Sequence, residues 1–207
     1  QSGAVRWETA ADATYDPMPP SPTYNGGPSP GVEKIKRNTV AEQRAWHDHT
    51  FADLASDGES VYSIEELDVF RTSNGMITAP LRVYNLLCAY DLQTGKALWE
   101  VGGGPGEIAL PLAGTFFLGP PLPLDGRLYV IAEQDRHIRL LVLNPENGEL
   151  LWSQSLFVVN AGRQSLVLDV WRRVAGLSPA YSQGLIICPT GVGGVVAFDV
   201  ESRELQW

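Results

Sequence analysis

Three segments of the chain end in the same way. Ala89 to Trp99 reads "AYDLQTGKALW", Val142 to Trp152 reads "VLNPENGELLW", and Ala197 to Trp207 reads "AFDVESRELQW". Asp91, Asn144 and Asp199 align, and so do Trp99, Trp152 and Trp207, which stand 53 and then 55 residues apart. Self-similarity at such a period marks a repeat architecture, in which one supersecondary unit is stacked on the next. "GAVRW", from Gly3 to Trp7, reads as the end of one more unit.

A second element precedes each copy. "DGESVYSI" (Asp57 to Ile64), "DGRLYVIA" (Asp125 to Ala132) and "SQGLIICP" (Ser182 to Pro189) each set a glycine before a short apolar or β-branched run. Each unit thus holds a glycine turn, a strand, a second strand ending in Asp or Asn, a turn, and a strand ending in Trp. Less regular strands fit near Thr50 to Leu54, Phe117 to Leu122 and Gly176 to Ala180. Four short strands per unit, separated by turn residues, is the pattern of an antiparallel propeller blade. The Asp before the turn can accept bonds from turn N–H groups two or three residues on, while Gly95 and Gly148 can take positive φ. In the third copy Arg203 replaces the glycine, so that turn must avoid the left-handed region or carry strain. A terminal Trp supplies a flat apolar surface and one N–H for the seam between blades.

The unit resembles the tryptophan-docking repeat of pyrroloquinoline-quinone (PQQ) type β-propellers, on "CAYDLQTGKALW", "LVLNPENGELLW", "VAFDVESRELQW" and "GRLYVIAE". That family includes quinoprotein dehydrogenases and non-enzymatic propellers such as the outer-membrane assembly lipoproteins. The resemblance implies an all-β fold, a β-propeller of four-stranded antiparallel blades. Here it is partial, with about three blades plus the outer strand of a preceding one. The division expected is 1–7, outer strand of that preceding blade; 8–49, a Pro/Gly-rich insertion with a short helix; 50–101, a blade with a hairpin insertion at 70–85; 102–153, a second blade; and 154–207, a third. Three units do not make the ring of six to eight blades that the family implies. The remaining blades of a longer chain, or another chain, are therefore the expected protein partner, because open blade edges expose unpaired strand. A single compact all-β domain is the alternative.

Two function classes follow. One is a non-catalytic scaffold whose strand-end loops bind protein. The other is part of a quinoprotein dehydrogenase whose PQQ and Ca²⁺ ligands lie in other blades. The resemblance also suggests a periplasmic, cell-envelope or secreted setting. The repeat itself implies no cofactor, and the vicinal cysteine pair of quinoprotein alcohol dehydrogenases has no counterpart, since Cys88 and Cys188 lie in separate units and read as small core residues.

No catalytic, cofactor-binding or metal-ligating residue is assigned. "GGGPG" at Gly102 to Gly106 lacks the Lys-Ser/Thr of a phosphate loop and reads as an interblade turn. "HDH" at His47 to His49 lacks a further well-placed ligand, and His137 reads as a polar residue at a blade hairpin. There is no Gly-x-Ser-x-Gly elbow and no defensible carboxylate pair. With 15 Lys plus Arg against 24 Asp plus Glu, the net charge of −9 excludes nucleic acid as the expected partner. No run in this piece reaches the length of a transmembrane helix. Asp16 to Gly31 is rich in Pro and Gly and reads as a long interblade loop, Val32 to His47 as a short amphipathic helix, and Asn74-Gly75 as the turn of an extra β-ribbon. Ser155 to Val174 reads as a long connection.

Overall fold

The computed structural model describes residues 49–65, 71–73, 76–78, 83–106, 110–160, 166 and 169–207. These form three successive antiparallel sheets and one ribbon. The first sheet follows the short helix α1 (His49–Ala52) and contains β1 (Ala55–Ser56), β2 (Ser60–Glu65), β5 (Leu86–Asp91) and β6 (Ala97–Gly102), paired in that order. Between β2 and β5, β3 (Arg71–Ser73) pairs with β4 (Met76–Thr78) as a separate ribbon. The second sheet runs from β11 (Leu150–Val158) at the outer edge through β10 (His137–Leu143) and β9 (Arg127–Gln134) to β7 (Phe116–Phe117), and β8 (Leu122–Leu124) also pairs with β9. After helix α2 (Val170–Val174), the third sheet holds β12 (Ala180–Ser182), β13 (Leu185–Pro189) and β14 (Val195–Asp199). Its outer position is taken by 205–207, through a Phe198–Leu205 bridge and the bonds Ala197 N–H to Trp207 O and Gln206 N–H to Ala197 O. The fold is a set of propeller blades.

The repeated residues do local work that their chemistry requires. Asp91 Oδ1 accepts from the N–H groups of Gln93 and Thr94, Asn144 Oδ1 from Glu146, and Asp199 Oδ1 from Glu201 and Ser202. Trp99 and Trp152 then reach forward to the next sheet. Trp99 Nε1–H donates to Pro145 O at 2.8 Å, and its ring covers Gly148 so closely that a Cβ there would lie 2.7 Å from Cε3. Gly148 has φ +71°, so it meets both demands, backbone and space.

One repeat later the same contact is made differently. Arg203 occupies the glycine position with φ +60°, so the turn does enter the left-handed region. Its guanidinium lies 5.8 Å from the Trp152 ring centroid, and that ring stacks at 5.2 Å on Phe198. Trp152 Nε1 is buried without an acceptor. The side chain at 203 denies Trp152 the close approach that Trp99 has over Gly148, and the indole forfeits its carbonyl.

Burial follows blade position. In β9 every residue from Leu128 to Glu133 is buried, because the middle sheet is covered on both faces; β13 alternates between half-buried and buried, with one face open. One continuous core links Tyr62, Ile64 and Leu87 of the first sheet to Tyr129 and Ile131 of the second and Ile186 and Phe198 of the third. Cys88 and Cys188 are both buried and free, and burial pushes the Cys188 thiol up to about 12.

The inner strands differ from expectation. Thr50 lies in α1 rather than in a strand, because its hydroxyl is committed to backbone groups of the second and third units. The strand expected over Phe117 to Leu122 is split into β7 and β8 around Pro120-Pro121, which bring no N–H to a ladder. In the third unit the strand starts only at Ala180, since Gly176 N–H and Leu177 N–H bond elsewhere. Ser155 to Val158 extend β11 and are not a connection. Strand numbers per sheet are four, five and three, the last supplemented by the bridge at Leu205. The expectations for Gly3 to Trp7, Asp16 to Gly31 and Val32 to His47 lie outside the described residues.

Asn85 joins the first two sheets. Its Nδ2–H donates to Phe117 O at 2.9 Å, its Oδ1 accepts from Phe117 N–H at 2.7 Å, its own N–H donates to Thr115 O, and its carbonyl accepts from Gly103 N–H. The side chain is fully buried, and all its polar groups are matched. Asn85→Leu strands both backbone groups of Phe117, at a cost of about 1–3 kcal/mol each, and is expected to lower the urea midpoint accordingly. Arg203→Gly is expected to raise it: the substitution relieves roughly 1–2 kcal/mol of left-handed strain against about 0.5–1 kcal/mol of lost cation–π contact. Gly148→Ala should do the reverse, forcing Trp99 off its seat and shifting its fluorescence emission to the red as the indole meets water.

Candidate functional site

The split inner strand of the second sheet creates a junction where all three units meet. Leu118 O accepts from Leu177 N–H at 2.8 Å and lies 3.4 Å from Thr50 Oγ1. Gly119 allows this, since a Cβ there would lie 2.6 Å from the Leu177 backbone. The Thr50 hydroxyl also donates to Arg173 O at 2.8 Å and accepts from Gly176 N–H. Ser178 Oγ–H donates to Pro120 O. These bonds fix both sides of α2, the only helix of the third unit among the described residues.

Charge fixes it further. Asp169 caps the helix, accepting from Arg172 N–H at 3.1 Å. The Arg172 guanidinium, itself buried, holds Glu133 with Nε and Oε2 3.0 Å apart and Asp169 with Nη1 and Oδ2 2.8 Å apart. Burial pushes the Glu133 carboxyl up from its ordinary range, and the adjacent Arg172 charge opposes that rise. Arg173, also buried, places its guanidinium 4.9 Å from the Phe116 ring centroid. Gly191 of the third sheet approaches Leu177 and the Arg172 stem so closely that a Cβ would lie 2.7 Å from Leu177 Cδ1.

Trp171, immediately before these two anchored arginines, points away from the protein and is 81% exposed. A five-residue helix held by a cap, two buried cations, the Thr50 hydroxyl and the Leu177–Leu118 backbone bond therefore presents one aromatic side chain to solvent. Asp53, also exposed, lies next to the end of the helix, with Oδ2 3.1 Å from the place of a Gly176 Cβ.

The arrangement offers little to catalysis. Glu133 and Asp169 are engaged by Arg172, no nucleophile stands against a base in the junction, and no group of three potential metal ligands occurs among the described residues. Of "HDH", only His49 lies in the described residues, exposed on α1. His137 begins β10, directly after the Asp135-Arg136 turn of the β9–β10 hairpin. "GGGPG" is an interblade link: Gly102 N–H donates to Pro111 O, and Gly104 faces the Tyr84 ring. Sequence reasoning missed Thr50, Asn85, Glu133, Arg172, Arg173 and Trp171. The one signal present was two adjacent arginines beside a tryptophan in a segment without repeat grammar.

Residues 83–207 match the family described as outer membrane protein assembly factor BamB. The outer membrane protein assembly factor BamB of Alteromonas naphthalenivorans is 34% identical over 79 residues, 35% of this chain and 18% of that protein. The chain thus aligns to under a fifth of that relative's length. Among solved structures, BamB from Moraxella catarrhalis is 17% identical with a TM-score of 0.36, over 74% of this chain and 43% of that one. A europium-containing methanol dehydrogenase is 12% identical with a TM-score of 0.42, over 75% of this chain and 31% of that one. With its family match extending over more than half its residues, across all three tryptophan-ended repeats, the chain belongs to the outer membrane protein assembly factor BamB family.

Proposed function

We propose that this chain is a non-catalytic propeller segment, with modules 50–101, 102–153 and 154–207, that acts as a protein-binding scaffold in outer membrane protein assembly at the cell envelope. The observation that carries the reading is the presentation of Trp171 on an internally locked helix. Tryptophan is the residue most enriched among energetic hot spots of protein interfaces, and a rigid mount reduces the entropy lost on binding. The buried charges beside it are spent on holding the helix, which is the use expected of a scaffold rather than of an active site. No helix among the described residues is long and apolar enough to cross a membrane.

A second protein contact lies at the third sheet. Trp207 is 64% exposed, whereas the ring of Trp99 rests on Gly148 and that of Trp152 on Phe198. A further sheet, from a longer chain or another chain, is its proposed cover. The alternative, a PQQ- and Ca²⁺-dependent dehydrogenase, is tested by adding both to the full protein and following absorbance. Stoichiometric uptake with dye-linked alcohol oxidation would overturn the scaffold reading.

The scaffold reading itself is tested with a photo-crosslinking amino acid at position 171 in cells, with the captured protein identified by mass spectrometry. Capture of a component of outer membrane protein assembly is expected; no crosslink, or crosslinks only to unrelated proteins, would count against it. Trp171→Ala is expected to leave the urea midpoint unchanged and to weaken binding to that component by about 2 kcal/mol or more. Arg172→Met, by contrast, leaves Glu133 buried without its cation and should cost about 3–5 kcal/mol of stability.

A further inference from the structure

The outer edge of the second sheet has a property independent of α2. Strand β11, Leu150–Val158, pairs with β10 on one side and with no strand among the described residues on the other. Open edges are ordinarily guarded by charge or proline. The segment "LLWSQSLFV" contains neither, whereas the corresponding outer strand β6 is three residues shorter and carries Glu100. Leu150, Leu151, Phe157 and Val158 are all exposed.

The segment is also symmetric in side-chain class about Gln154. Ser153 mirrors Ser155, Trp152 mirrors Leu156, Leu151 mirrors Phe157, and Leu150 mirrors Val158. Two bulges, at Leu151 and Leu156, shift its register with β10 and leave Trp152 to Ser155 as the regular run that contains Gln154. We infer that two copies of the chain pair antiparallel through β11, with the two-fold axis at Gln154. Such an isologous contact places each residue against its mirror residue, Ser opposite Ser and apolar opposite apolar.

Charge complementarity at the strand ends favours this occupant over an unrelated strand. The same axis brings exposed Glu149 of one copy opposite Val159 of the other. That end carries Arg136, which donates from Nε to Val159 O at 3.1 Å and from Nη2 to Asn160 O at 2.6 Å. Neither Glu149 nor Arg136 forms an ion pair among the described residues. The axis therefore sets each Glu149 two strand spacings, roughly 10 Å backbone to backbone, from Arg136 of the other copy, a span that the two long side chains bridge. The like charges nearest the axis are the two copies of Arg139, each with Nη1 3.4 Å from Ser153 Oγ on β11; their repulsion is a cost of the pairing that physiological salt reduces.

Sedimentation equilibrium of the full chain, wild type and variants, tests the inference. The wild type is expected at twice the chain mass, with Glu149→Arg raising the dimer Kd about tenfold or more by setting like charges together. Arg136→Glu alone should act likewise, and the double variant Glu149→Arg with Arg136→Glu should restore association. Ser155→Lys, on the exposed edge, supplies a second disruption that leaves the strand ends intact, and circular dichroism checks that each variant is folded. Trp171→Ala should not change the mass, which keeps this test separate from the scaffold reading. A wild-type chain that remains monomeric at its highest soluble concentration overturns the inference, as does a dimer that neither Glu149→Arg nor Ser155→Lys weakens.

Discussion

Everything in the first two blades depends on a carboxamide standing in for a strand. The inner strand β7 is two residues long and offers little ladder of its own, yet Phe117 is fully buried and both its backbone groups need partners. Asn85 meets both with one side chain while its own backbone binds Thr115 and Gly103. The link costs no helix and no extra strand. It also sets the distance between sheets: Gly102 sits where a Cβ would lie 2.5 Å from Asn85 O and 2.8 Å from the Phe117 ring. Side-chain amide, glycine and phenylalanine thus define one close approach, and Trp99 closes the same seam from its outer side.

The outer half of each blade was legible in the sequence because its determinants are local. An Asp, a turn and a Trp interact within a few residues of one another or with the next copy of the same motif, so repetition reveals them. The inner half was not, since its partners are distant in the chain: 32 residues for Asn85 with Phe117, 39 for Arg172 with Glu133, and 123 for Thr50 with Arg173. Thr50 reads as a β-branched strand residue on propensity, and only the carbonyls that its hydroxyl reaches make helix the better solution. Arg203 shows the converse. The sequence left two outcomes for its turn, and the structure takes the strained one, with the face of Trp152 offsetting part of the cost.

The polar residues of the junction are disposed for stiffness. Arg172 is shared between two carboxylates, Arg173 lies on an aromatic ring, and Thr50 both donates and accepts. Buried charge satisfied in this way seldom adds net stability over a well-packed apolar core, but it tolerates few alternative geometries. That is an appropriate foundation for a recognition surface, where the direction of a single aromatic side chain matters more than the free energy of the helix beneath it.

The unequal burial of β9 and β13 has a consequence for how the chain comes apart. Stability in stacked units is approximately a sum of unit and interface terms, to which the Thr50 bonds add a direct link between the first and third units. The middle sheet, covered on both faces, can lose its hydrogen bonds only when both seams open, so the amides of β9 and β10 report the global transition. Among the described residues the third sheet shares a seam with the second alone and has an outer strand reduced to a bridge, so its amides in this segment are expected to exchange through a smaller opening. Within the described residues protection therefore falls from the second sheet toward the third, and α2 lies at the step between them.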